Sequence, residues 1–423
     1  MLMSVCPSNR NAVLAASSHT AFLLMDLLYH IYRKDAKSMN IIYADWNCFG
    51  GRDILEALSD MEYQIHIIGL SKSARYGQDT EYTDRLVNCI KDKNADLVIS
   101  FNYYPSISEA CMRTGIRYFA WIYDSPYVKV YDRSIVNNVN YIGTFDSFTA
   151  DELNGKGVTT VHYVPLAVNS KRLERYAAEQ YGKEWHEVSF VGSLYNDKNK
   201  FYERLYEAGR DMQLIGYLDA VIDAQRQLCS VNILDESLSD DVVTRIGNVM
   251  PYKIADGSLT SERRVYADYY LAPRVTFLDR QEIITRLADR HSVDYYTYTD
   301  YKLGKAHNRG KVDYYEEMPM VFAYSKINLN ISLRSIRTGI PLRAMDIMGV
   351  GGFLLTNYQA DMFRHFEAGK HFDYYTSVDE AVDKVGYYLS NDSERSRIAA
   401  AAYEEMKLRH TYNIRLKEVF GQL

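Results

Sequence analysis

Residues 327–358 read INLNISLRSIRTGIPLRAMDIMGVGGFLLTNY, and this stretch decides the fold. Ile327–Ser332 alternates apolar and polar residues as a strand does. Phe353–Thr356 is a short apolar run that fits a buried parallel strand. Between them lie a loop, Leu333–Ile340, and a helix from Pro341 to about Val350. Pro341 suits a first helical turn, where no amide donor is missed. Gly351-Gly352 supplies a left-handed stop. Ligands of such strand–helix–strand units gather at the carboxyl ends of the strands. Here that place is the loop Arg334–Ile340 and the helix start, whose open amides favour a phosphate. Asp346 lies too deep in the helix for capping to explain a carboxylate, at the edge of the apolar face set by Leu342, Met345 and Gly349. The plain structural alternative is an ion pair between Arg343 and Asp346, three residues apart on the helix surface.

Outward from this unit, strands and helical stretches alternate along the whole chain. Asn40–Ala44 reads as a first strand, followed by a turn holding Gly50-Gly51 and a helix, Asp53–Met61. Strands are expected at Tyr63–Gly69, Asp96–Phe101, Tyr118–Tyr123, Tyr141–Phe145 and Thr160–Val164, with helices near Asp79–Lys91 and Ser106–Thr114. This alternation implies a parallel sheet. Gly50-Gly51 is not G-x-G-x-x-G, so it marks a close backbone approach or an acceptor-side loop rather than a dinucleotide site. Pro165–Ser170 reads as an inter-domain linker. Glu187–Ser193 is a strand that opens a second half, and Gly192 and Ser193 in its small-residue turn can bring amides to a diphosphate. Lys198 and Lys200 follow on a polar stretch. Asn199–Arg290 is mostly helical, with Tyr217–Val231 and Arg280–Arg290 clearest, and is longer than one crossover needs; it reads as an insertion. Val293–Tyr298 returns to strand, and Tyr314–Pro319 reads as a short helix. Ser377 to Glu380 is a capping box opening a helix to Leu389, with Asp392–Leu408 and Thr411–Phe420 after it.

Composition bounds the rest. The 423 residues allow two to three domains, and 47% hydrophobic with 25% charged residues is ordinary for a globular protein. The net charge of −6 offers no electrostatic case for nucleic acid. The cysteines number five and lack C-x-x-C spacing, which points to a reducing, cytoplasmic setting and away from a disulfide frame or zinc site. Residues 1–38 are expected to form a helical extension. Its apolar run within Asn11–Arg33 is broken by Ser17, Ser18, His19 and Asp26, so packing on the first domain or a peripheral membrane contact is expected rather than a span. D-x-D, H-E-x-x-H, G-x-S-x-G and a Walker lysine loop are absent, so no metal and no cofactor is expected.

Arg343-Ala-Met-Asp346-Ile-Met-Gly-Val-Gly351-Gly-Phe-Leu-Leu resembles the R-x-F-E-a-m-a-c-G-g-x-l-L stretch of group 1 glycosyltransferases, in the branch similar to the spore maturation protein CgeB. Ile122-Tyr-Asp-Ser-Pro126 and Pro165-Leu-Ala-Val-Asn169 resemble the first domain and linker of that branch. The resemblance implies an α/β protein of GT-B fold: two Rossmann-like parallel-sheet domains facing a cleft, with a helical insertion in the second. Domains are expected at 39–166 (acceptor side) and 171–395 (nucleotide-sugar side), with 396–423 returning to the first. It implies transfer of a sugar from a nucleotide sugar, in glycan biosynthesis, to a glycan, lipid-linked or protein acceptor. Asp346 is then the acceptor of ribose hydroxyl hydrogen bonds, a role that suits a carboxylate. Many relatives carry a second Glu eight residues earlier, where this chain has Thr338. Donor contacts are expected from Gly192, Ser193, Lys198, Arg334, Thr338, Gly339, Ile340, Arg343 and Asp346, with Arg343 or Lys198 as the cation facing the leaving diphosphate. Asp124 ends a strand at the lip of the cleft, where a carboxylate could deprotonate an acceptor hydroxyl; an Asx-type turn before Pro126 is the alternative. A GT-B epimerase and a non-catalytic nucleotide-sugar-binding scaffold remain as rival functions.

Overall fold

The computed structural model describes residues 38–177, 186–196, 200–209 and 211–423. The expected N-terminal extension, Ser38 aside, lies outside the described residues, and so does Lys198. Two parallel six-stranded sheets carry the fold. The first has the order β2-β1-β3-β4-β5-β6, built from Asn40–Asp45 (β1), Gln64–Gly69 (β2), Leu97–Phe101 (β3), Arg117–Ile122 (β4), Asn140–Thr144 (β5) and Val161–Tyr163 (β6). The second has the order β12-β11-β10-β7-β8-β9, built from His186–Val191 (β7), Val293–Tyr296 (β8), His307–Asn308 (β9), Ser325–Asn330 (β10), Leu354–Asn357 (β11) and Asp373–Tyr375 (β12). Counted within its own half, the second sheet is wound 3-2-1-4-5-6, the dinucleotide-binding order, and its winding reverses between β7 and β10. Apolar clusters cover both faces of each sheet, which is why the strands read as continuous hydrophobic runs.

The unit around Asp346 forms as its sequence dictates, with shifted ends. Strand β10 starts two residues early, at Ser325, and stops at Asn330. It stops there because side chains take over the ladder: Arg280 Nε donates to the Ile331 carbonyl (3.1 Å), and Ser332 N–H donates to Asn357 Oδ1 (2.7 Å). The helix spans Leu342–Gly349, with Pro341 as its cap residue. Gly351 has φ 81°, and the Gly352 amide reaches back to the Ile347 carbonyl (2.9 Å), the geometry of a Schellman stop. The helix expected at Tyr314–Pro319 lies instead at Met318–Ala323. Asp313 Oδ1 takes the amides of Tyr315 and Glu316, and that turn delays the helix.

Between β7 and β8 the chain makes a helical insertion, including Met212–Gln227, Asp240–Val249 and Ala272–Ala288, with an apolar core of its own. The insertion also reaches the first domain: the Leu259 amide donates to the Tyr131 carbonyl (2.8 Å). The last helix, Tyr412–Phe420, packs Tyr412, Leu416 and Val419 into the core beneath the first sheet. A helix absent from the sequence reading, Ser147–Gly155, follows β5 and is capped by Asp146.

Candidate active site

The carboxyl ends of β7 and β10, where the winding reverses, are neighbours in the second sheet. Two guanidiniums converge there. Arg343, on the first turn of the helix after β10, donates from Nη1 to Asn330 Oδ1 (3.1 Å) and lies 5.5 Å from the centre of the Phe190 ring. Arg280, on the insertion's last helix, donates to the carbonyls of Ile331 and Ser193 and lies 5.0 Å from the same ring. Among the described residues neither forms an ion pair with a carboxylate. Burial pushes the Arg343 pKa down to about 10, and the neighbouring Arg280 charge adds to the fall. Burial likewise lowers that of Arg280. Both stay protonated at neutral pH. Asp346 and Asp279 act on them only from a distance. Two buried like charges without a direct ion pair are costly, and an anion between them reduces the cost.

Asp346 lies one helical turn beyond Arg343 and is 2% exposed. The i,i+3 ion pair does not form, because Arg343 turns to Asn330 instead. Asp346 Oδ1 is 3.5 Å from the Tyr314 hydroxyl, and Oδ2 is a buried oxygen with no hydrogen-bond partner. Burial raises its pKa to about 7, opposed by the Arg172 charge. Arg172 is itself held by Asp53, so the carboxylate is only partly compensated. A buried acceptor oxygen without a donor can take a hydrogen bond from a ligand or an ordered water.

The remaining acidic candidate belongs to the first domain. Asp124 follows β4, and its carboxylate accepts from Asn102 Nδ2 (2.7 Å). Asn102 Oδ1 in turn takes the amides of Tyr123 and Asp124 (2.9 and 3.1 Å). Tyr123, between the two halves, feels the charges of both Asp346 and Asp124. Asp124 is exposed and lines a pocket formed with the insertion.

The remaining candidates divide. Gly192 lies against Arg343, but its amide donates to the Tyr296 carbonyl (2.9 Å). Ser193 bonds the Tyr298 hydroxyl (3.0 Å) and offers its carbonyl to Arg280. Arg334 is held by Asp279 (3.0 Å) and ties the loop to the insertion, so its charge is already matched. Thr338 is a clasp between domains: its hydroxyl lies 2.7 Å from Asp146 Oδ1 and 3.1 Å from Asp361 Oδ2. Asp146 belongs to the first domain and also takes the Arg337 amide (2.8 Å); Asp361 belongs to the second and takes the Ser147 amide (3.0 Å). Gly339 packs on the first domain, where a Cβ would stand 2.8 Å from the Phe145 carbonyl, and Ile340 is buried in the core beside Ala344. Arg280 is the residue sequence reasoning missed. It reads as one more helical arginine, and only its position under Phe190 marks it.

Residues 280–421 match the family described as glycosyl transferase-like. No curated protein matches the chain. Among solved structures, a glycosyltransferase from Rickettsia africae ESF-5 is similar with a TM-score of 0.53 at 10% identity, over 92% of this chain and 98% of that one. Sucrose-phosphate synthase from Thermosynechococcus elongatus is similar with a TM-score of 0.53 at 6% identity, over 91% and 98%. Anabaena Alr3699/HepE, solved in complex with UDP-glucose, has a TM-score of 0.50 at 8% identity, over 91% and 100%. The chain therefore has the GT-B fold, and its residues 280–421 match the glycosyl transferase-like family.

Proposed function

We propose that this protein is a metal-independent glycosyltransferase of the CgeB-like branch that takes a nucleotide sugar as donor. The observation that carries the reading is the Arg280–Arg343 pair: two buried guanidiniums at the winding reversal of a Rossmann-like sheet, neither matched by a carboxylate. A diphosphate fits that charge, and the orphan Asp346 Oδ2 beside it fits a ribose hydroxyl. During transfer, an acceptor oxygen bonds the anomeric carbon, and the bond from that carbon to the diphosphate breaks with its electron pair. The hydroxyl proton passes to Asp124, while Arg280 and Arg343 stabilise the charge gathering on the leaving diphosphate. No helix among the described residues is long and apolar enough to cross a membrane. The described cysteines are free thiols, in keeping with a reducing cytoplasm.

Incubation with UDP-glucose and other sugar nucleotides, followed by product analysis, tests this. Free nucleoside diphosphate with released or transferred sugar is the expected result. An epimerised donor, or binding without turnover, would contradict it.

A further inference from the structure

The insertion touches the first domain at the turn that carries Asp124. Tyr269 is the contact. Its hydroxyl donates to the Pro126 carbonyl (3.0 Å) and accepts from the Val128 amide (2.8 Å). Burial raises the phenol's pKa, so it keeps its proton throughout the working range. Tyr269 sits in the π-helical turn Ala267–Leu271, a widened turn of the kind that recurs at functional sites. The Asp124 turn is thus fixed from two sides: Asn102 of its own domain holds the carboxylate (2.7 Å), and Tyr269 of the other domain holds the backbone just beyond it.

The space enclosed is a pocket whose lining includes Asp124, Tyr127, Asp146, Arg264, Asp268 and Tyr269. Its charge leans negative. Asp268 is paired with both Arg264 and Arg337, and Asp146 takes the amides of Arg337 and Thr338, so Asp124 is the exposed carboxylate and the one lining guanidinium, Arg264, is already matched. Such a wall repels phosphate and suits a hydroxyl that donates hydrogen bonds.

We propose that this pocket is the acceptor site, that it takes an uncharged hydroxyl-bearing group, and that Tyr269 is a positioning residue that holds Asp124 against that hydroxyl. The proposal rests on the transferase reading. The insertion then does more than enlarge the second domain: it brings the donor-side domain to bear on the base. The acceptor oxygen bonds the anomeric carbon, its proton goes to Asp124, and the nucleoside diphosphate leaves with the electron pair.

The test uses the full chain, UDP-glucose as donor probe, and water, glycerol or glycerol 3-phosphate as acceptor probes. UDP release is followed in wild type, Tyr269→Phe, Asp124→Asn and the double variant, with UDP affinity measured by calorimetry. Tyr269→Phe removes both hydrogen bonds and should lower kcat about tenfold or more, with KM for UDP-glucose and UDP affinity unchanged. In the Asp124→Asn background it should cause no further loss. Glycerol should capture more sugar than glycerol 3-phosphate. Wild-type kcat in Tyr269→Phe, or the same loss in both backgrounds, would remove Tyr269 from this role. Equal or greater capture by glycerol 3-phosphate would overturn the neutral-acceptor assignment. A wild-type protein that binds none of UDP, GDP, ADP and dTDP would instead contradict the donor reading beneath it; if a different one of them binds, its sugar nucleotide takes the place of UDP-glucose in this test.

Discussion

The Arg343 guanidinium occupies the space where any side chain at Gly192 would begin: a Cβ there would lie 2.5 Å from Arg343 Nη2. The glycine therefore serves the site by what it lacks. Gly192→Ala should push Arg343 from Asn330 and weaken nucleoside diphosphate binding by roughly 10–100-fold, the worth of a charge-assisted hydrogen bond. Calorimetry with UDP and GDP, beside a thermal melt to check folding, reads this. Wild-type affinity in a folded variant would detach Arg343 from the donor.

Asp346 gives the site a pH signature. Its pKa is raised by burial to about 7. Between the ordinary carboxylate range and that value the folded protein holds a proton that the unfolded chain has lost. Stability therefore falls as pH rises through this window and levels off above it. If Asp346 takes the ribose hydroxyls as a charged acceptor, nucleotide affinity should rise as pH rises towards neutrality and beyond. Asp346→Asn should flatten both profiles and bind nucleotide about tenfold or more weakly. A deoxyribose nucleotide should lose little more in that variant. Parallel profiles in the two proteins would sink the ribose assignment.

Much of this was legible because it is local. The alternation from Ile327, Pro341 at the helix start and Gly351 past its end are each set within a few residues, and the strand–helix–strand unit followed. Asp346 and Arg343 sit on that unit, so they too were visible. What escaped is held by distant partners. Arg280 meets Ile331 across 51 residues, and Asp361 meets Ser147 across 214. β9 has only two residues and β12 three, too few for any alternation to register. Gly50, read as a close backbone approach or an acceptor-side loop, lies against a side chain of the last helix: a Cβ there would stand 2.7 Å from the Tyr412 hydroxyl.

Thr338 separates two readings of the loop after β10. As a donor-sugar contact its loss would raise donor KM alone. As the clasp between Asp146 and Asp361 its loss leaves two carboxylates facing each other without the shared hydroxyl. Thr338→Val should therefore lower unfolding free energy by about 1–3 kcal/mol. Denaturant titration measures that cost. Unchanged stability with impaired donor KM would return Thr338 to the donor site.

Asp124→Asn keeps a side chain able to bond Asn102, so the turn should survive. Transfer should nevertheless fall by ~10²–10⁴ if Asp124 takes the acceptor proton, with nucleotide affinity unchanged. Rate and affinity measured together decide between base and turn residue: normal turnover in this variant leaves Asp124 only the turn.

If Arg280 and Arg343 hold a nucleoside diphosphate with no metal between them, its binding does not depend on a divalent cation. Isothermal titration of the full chain with UDP, GDP, ADP and dTDP, each with and without EDTA, tests it most directly. At least one should bind with the same affinity in both conditions, and Arg280→Gln should weaken that binding by roughly 10–100-fold. Binding lost to the chelator, or an Arg280→Gln variant that binds like wild type, would contradict it.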